Sequence, residues 1–233
     1  MRNFYKHKYP SIYSAWLGLL LLSLLLVACG EANPTAPTNG TPVGLAAAPV
    51  LQLTDCQKQA AANPLPITPS TTNESQIAVP AGFKSFLSEI YPYRLAYPTG
   101  WDLQKNQSRN DVKGDFFVAT NKDNQRVFVT VTGRKLPAGV NDVAGFYKTV
   151  EKDFVGQAVN PTRETDRRVA GTEAYVFGFN TDQPGFQVQT IQLIFVGQNQ
   201  AWNVSYNASY NESLSYCADF GRLLDSFTFV AAK

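Results

Sequence analysis

The apolar run from Ala15 to Ala28, stopping at Cys29, most limits what this chain can fold into, because it decides which residues reach the folded state. Arg2, Lys6 and Lys8 precede it, and no acidic residue does. A basic head, a short apolar stretch and a small closing residue form the layout of an export signal. As a helix the run extends about 21 Å, against a hydrocarbon core of roughly 30 Å, so it is short for a membrane span. The fold has to come from the residues beyond Cys29.

The stretch closes as Leu26-Val27-Ala28-Cys29. This order of aliphatic, aliphatic, small and cysteine resembles the lipobox of bacterial lipoproteins. The resemblance implies a diacylglycerol thioether and fatty acid such as palmitate on Cys29, and cleavage by a peptidase that recognises Leu26, Val27 and Ala28. Cys29 then heads the mature chain. Two or more acyl chains hold stably where one is marginal, since each buried methylene contributes about 0.8 kcal/mol. The expected location is the extracytoplasmic side of a bacterial cell membrane, with the membrane itself as a partner through the anchor. The alternative is an ordinary secretory signal with an incidental cysteine.

Loss of residues 1–28 changes the inventory. Three of the 20 basic residues leave, so 17 remain against 18 acidic, a net of −1. That charge gives no footprint for nucleic acid. His7 is the chain's one histidine and leaves as well. Ser-His and Cys-His nucleophiles, imidazole bases and histidine-containing metal sites are thereby excluded, and no cofactor is expected. Cys56 and Cys217 remain, in a compartment where disulfides persist. They are expected to pair. The competing reading, thiolate catalysis, lacks a histidine to activate it.

Eight of the 14 prolines lie between Gly30 and Pro80, a composition read as a tether. Inside it, Thr54 and Gln57 of "LTDCQKQAAA" have capping-box spacing, which predicts a short helix near 54–62 pinned by Cys56. The expected layout is a signal peptide over 1–28, the lipidated cysteine and tether over 29–80, and one globular domain over 81–233.

Within that domain, alternation through Tyr91, Tyr93, Leu95 and Tyr97 predicts a strand, with a turn at Pro98 to Gly100 and the sheet continuing from Trp101 to Leu103. "DFFVAT" and "RVFVTVTGRKL" read as two further strands. "NDVAGFYKTVEKDFVGQ" is a helix by its spacing, with Asn141 as N-cap, one face of Val143, Phe146, Tyr147, Val150 and Phe154, and Gly156 at its end. "GTEAYVFGFN" reads as a strand, and "FQVQTIQLIFV" and "AWNVSY" as a hairpin around "GQNQ". Leu214, Cys217, Gly221 and Leu224 share a helical stripe ahead of a last strand, "SFTFV". The fold class expected is α+β with an antiparallel sheet.

"YRLAYPTGW", the helix after the second hairpin, "GTEAYVF" and "LLDSFTF" together resemble PsbP-like proteins, the extrinsic PsbP subunit of photosystem II and its bacterial lipoprotein relatives. The resemblance spans roughly residues 82–230. It implies an α/β/α sandwich with a central antiparallel sheet, and a non-catalytic binding or assembly module at a membrane surface. Folds of this breadth host many roles, so no ligand set is carried over.

Along the domain, Tyr91, Tyr93 and Tyr97 are the candidate ligand-facing aromatics, with Trp101 read as core. Asn110, Asp111 and Asp115, and separately Asn121, Asp123 and Asn124, offer oxygen ligands of the kind calcium takes, but without EF-hand spacing; they are read as turns, and no metal is expected. "RETDRR" carries Arg163, Arg167 and Arg168 in what reads as a solvated loop. No catalytic residue is assigned. The competing enzyme reading is a carboxylate-dependent hydrolase of the envelope drawing on Glu173, Asp182 or Asp219, and a purely structural envelope protein is the third. Beyond the membrane, the partner class is an unspecified protein or small molecule.

Overall fold

The computed structural model describes residues 49–69, 77–109, 112–121, 126–155, 159–183 and 186–231. The signal peptide, Cys29 and most of the tether lie outside them. In chain order the elements are α1 (Leu53–Ala62), β1 (Ile67–Pro69), β2 (Ala78–Pro80), β3 (Phe83–Leu87), β4 (Tyr93–Pro98), β5 (Asp102–Arg109), β6 (Val112–Thr120), β7 (Arg126–Lys135), α2 (Val143–Val155), β8 (Val159–Val169), β9 (Thr172–Gln183), β10 (Phe186–Gly197), β11 (Gln200–Ser209), α3 (Cys217–Asp225) and β12 (Thr228–Phe229).

Seven strands form an antiparallel sheet in the order β5-β6-β7-β11-β10-β9-β8, three more form a small sheet β12-β4-β3, and β1 pairs with β2. The class is α+β, as the sequence predicts. Strand alternation sends Val129, Val131, Val204, Tyr206, Ile191 and Leu193 to one face of the large sheet, where they meet Leu53 and Cys56 of α1, Phe220 and Leu223 of α3, and Tyr93 and Leu95 of β4. The opposite face presents Phe177, Phe179 and Ile194 to Val143, Phe146 and Val150 of α2. Helices therefore cover both faces of the sheet.

Local chemistry explains the hairpin at the centre. Gln198 and Asn199 hold φ of 53° and 58° between paired Gly197 and Gln200. Two successive left-handed residues make the turn whose twist matches a two-residue hairpin. Along the α2-side face of the central strands, Thr130, Thr132, Asn203, Ser205, Asn207, Thr190 and Gln192 are buried. They bond each other: Gln192 Nε2 donates to Asn203 Oδ1 at 3.0 Å, and Thr190 Oγ1 to Asn207 Oδ1 at 3.0 Å. Such pairing offsets the cost of taking these groups from water.

Several elements differ from the sequence reading. Helix α1 is no appendage of a tether: Leu51, Leu53, Cys56 and Ala60 are buried, so these residues, placed before the domain start at 81 by the sequence reading, are part of the folded unit. Its N-cap is Gln52, whose N–H donates to Asp55 Oδ2 at 3.2 Å, two residues before the expected Thr54 box. Asp142, not Asn141, caps α2, its Oδ1 accepting from the Gly145 N–H at 2.6 Å. The side chain of Phe154 and the residue Gly156 fall outside the description. Strand β5 does not extend the sheet of β4 but opens the large one, because the turn in which the Trp101 N–H donates to the Pro98 carbonyl redirects the chain. Leu214 stands 58% exposed ahead of α3, while Cys217, Gly221 and Leu224 of the same stripe are buried.

"RETDRR" forms part of β8, not a loop. Thr162 to Glu164 and Arg167 to Val169 pair with β9 on either side of a bulge at Asp166, which has φ of 62°. Residues three apart on a regular strand face opposite ways. The bulge turns both Glu164 and Arg167 toward α1.

Cys56 and Cys217 are joined, with Cα atoms 4.6 Å apart and a sequence separation of 161. The bond ties α1 to α3 where the two helices pack closest: a Cβ on Gly221 would stand 3.0 Å from the Cys56 carbonyl oxygen. Closing so long a loop contributes about 2 to 4 kcal/mol.

Candidate functional site

The packing of α1 on α3 leaves a groove along their ends. The turn after α1 carries Pro64, Leu65 and Ile67 away from the helix pair, β2 returns beside it, and β12 leaves from α3 on the other side. The space between measures about 580 Å³. Its apolar walls are Ala60, Leu65, Ile67, Ile77 and Phe229, with Ile67 65% exposed at the rim.

Three polar side chains from the helices set its electrostatics. Arg222 donates to Asp219 Oδ1 at 3.1 Å and to the Asn63 carbonyl at 2.5 Å, so its charge is engaged inside the wall. Asp225 is exposed at the mouth, and its carboxyl oxygen accepts a hydrogen bond from Gln57 Nε2 at 3.2 Å. Partial shielding by the helix pair raises its pKa above the usual carboxylate value, and the Gln57 bond opposes that rise. Asp219 is raised for the same reason, with Arg222 opposing. A second hollow of about 290 Å³ adjoins the first, lined by Arg168, Ala170, Gly171 and Leu224. Gln57, Asp225 and Phe227 line both.

Two of the three aromatics expected to face a ligand are buried. Tyr93 is 0% exposed and Tyr97 5%, and Trp101 is buried as expected. Strand β4 lies between α3 and the large sheet, so both of its faces are interior, and the alternation had no wet side to point to. Tyr93 is anchored by donating from Oη to Asp115 Oδ2 at 2.7 Å, and burial pushes its pKa well up. Half-buried Tyr91 donates to the carbonyls of Lys113 and Gly133, each at 2.8 Å.

The remaining candidates disperse. Asp115 is buried, and also accepts from Ser88 Oγ at 2.6 Å and the Asn106 N–H at 3.0 Å; it locks the bulge of β5 rather than holding a cation. Asn110, Asp111, Asp123 and Asn124 lie outside the described residues, among which no group of three or more acidic, histidine or cysteine side chains is placed to hold a metal ion. Arg163 lies over the rings of Tyr175 and Tyr147, 4.0 and 4.9 Å from their centroids. Glu173 is exposed on β9, the strand that also carries Asp182, and Asp219 is on α3. Neither Glu173 nor Asp219 lines the groove.

No protein-family model and no curated protein matches this chain. Solved structures resemble it. LpqN of Mycobacterium tuberculosis, involved in cell envelope biogenesis, is similar at 14% identity and a TM-score of 0.47, over 74% of this chain and 95% of that one. Cyanobacterial PsbP of Synechocystis is similar at 14% identity and a TM-score of 0.45, over 64% of this chain and 93% of that one. At such values the likeness assigns no chemistry, and the groove has to be argued from its own residues.

Sequence reasoning missed the groove. Its wall comes from residues 57–67, assigned to a tether, and from the segment after α3, so no contiguous motif announces it. The one available signal was Cys56 paired with Cys217, which brings these two segments together.

Proposed function

We propose that this chain is a lipoprotein, exported and held by Cys29 at the extracytoplasmic face of a bacterial membrane, whose α+β domain acts as a non-catalytic binding or accessory module. The observation that carries the reading is the sequence Leu26-Val27-Ala28-Cys29 closing an apolar run behind a basic head. The Cys56–Cys217 disulfide supports an oxidising compartment. Among the described residues no helix is long and apolar enough to cross a membrane. Binding rather than turnover is supported by His7 being the sole histidine and by the dispersal of the carboxylates. A groove of about 580 Å³ favours a binding module over a purely structural spacer.

Metabolic labelling with a fatty-acid analogue tests the anchor. Wild type incorporates label and Cys29→Ala does not. Label that persists in Cys29→Ala overturns the reading.

A further inference from the structure

We infer that the groove between α1, β2 and α3 takes a small amphiphile with an apolar body and an ammonium head, the head meeting Asp225. The inference deepens the binding-module reading and rests on it.

Two independent features point to this chemistry. The apolar part of the wall, Ala60, Leu65, Ile67, Ile77 and Phe229, offers hydrocarbon and an aromatic ring, and the polar part comes from Gln57, α3 and the segment after it. A volume near 580 Å³ is in the range of small-molecule sites, and burying a ligand's methylenes there is favourable. At the mouth stands a carboxylate whose hydrogen-bond donor is the neutral Gln57.

Among the described residues Asp225 has no ion-pair partner, and the cations around it are committed elsewhere. From its own helix, Arg222 faces Asp219 and the Asn63 carbonyl. From β8, Arg168 Nη1 donates to the Gly171 carbonyl at 2.9 Å, and Arg167, which also reaches Gln57, pairs with Glu164. An ammonium head supplies the missing charge. A carboxylate head places a second negative charge beside the first, and a hydroxyl gains a hydrogen bond without the Coulomb attraction.

Octylammonium, octanol and octanoate share a tail and differ in the head. Each is titrated calorimetrically into the full chain as purified, in phosphatidylcholine nanodiscs if acyl labelling marks Cys29 and in buffer otherwise, with empty discs or buffer as reference. Octylammonium is expected to bind at least about threefold more tightly than octanol, as fits a solvent-exposed ion pair, and octanoate most weakly. Asp225→Asn levels octylammonium with octanol. Ala61→Trp, which fills the groove from an exposed position on α1, abolishes binding of all three. A cooperative thermal transition no lower than that of wild type in each variant shows that the fold is intact. Equal binding of the three heads, a preference that survives Asp225→Asn, or no binding at all overturns the inference. Acyl labelling reads the anchor separately, so either result stands without the other.

Discussion

Gln57 and Asp225 meet across 168 residues of sequence: Gln57 Nε2, on the second turn of α1, donates to Asp225 Oδ1 at the end of α3, and both side chains line the two adjoining hollows. The pair is placed by the disulfide one residue earlier on α1, and its pH behaviour comes from its surroundings.

Burial raises the Asp225 pKa above its ordinary value of 3.8. The native state therefore binds its proton more tightly than the unfolded chain does. Stability from this group is present below pH 3.8, is lost as pH rises through the raised native pKa, and is constant above it. Asp225→Asn is expected to leave Tm unchanged near pH 3 and to raise it by no more than about 2 °C at pH 7, since the residue is exposed. Thermal unfolding at the two pH values checks the sign.

Removing the Cys56–Cys217 bond loosens both walls of the groove. Cys56→Ser with Cys217→Ser is expected to cost about 2 to 4 kcal/mol in urea unfolding. The denatured, unreduced wild-type domain should show no free thiol at these positions.

Glu164 fixes the start of α1 from across the sheet. Its Oε1 accepts from the Leu53 N–H at 2.8 Å, its Oε2 from Thr54 Oγ1 at 2.5 Å, and Arg167 donates to Oε2 from Nε at 2.9 Å and Nη2 at 2.7 Å. The carboxylate serves as a helix cap supplied by a strand, and its side chain is only 13% exposed. Glu164→Ala leaves the first N–H groups of α1 and the Arg167 guanidinium without it. A loss of about 2 to 3 kcal/mol is expected in urea unfolding.

Asp115 accepts from two buried hydroxyls, Ser88 and Tyr93, and from the Asn106 N–H. Asp115→Ala strands both hydroxyls and frees the β5 bulge, at an expected cost of about 3 kcal/mol; Tyr93→Phe removes one donor for about 1 kcal/mol. The double variant should cost less than the sum, because each change removes the same bond. Additive losses would contradict a shared bond.

The legible parts of the fold are those in which one element carries its own pattern. Val143, Phe146 and Val150 mark α2 by spacing, and "GQNQ" marks the β10–β11 turn by length and residue type. The illegible parts need a partner. The β4 tyrosines read as a wet aromatic face because alternation records which residues share a side, and it cannot record that both sides are covered.

Sequence by itself determined the apolar run that closes at Cys29, the single histidine, the α+β class, and which residues of α2 and of the central strands face inward. These come from local composition and period, which need no knowledge of distant segments. Tertiary structure decided that residues 49–62 belong to the core, that Glu164 and Arg167 share a face through the Asp166 bulge, and that a groove opens beside Asp225. The first and last of these depend on contacts between segments more than 100 residues apart, as in Thr54 with Glu164 and Gln57 with Asp225, and the second on strand pairing around a bulge, where burial and hydrogen bonding outweigh local preference.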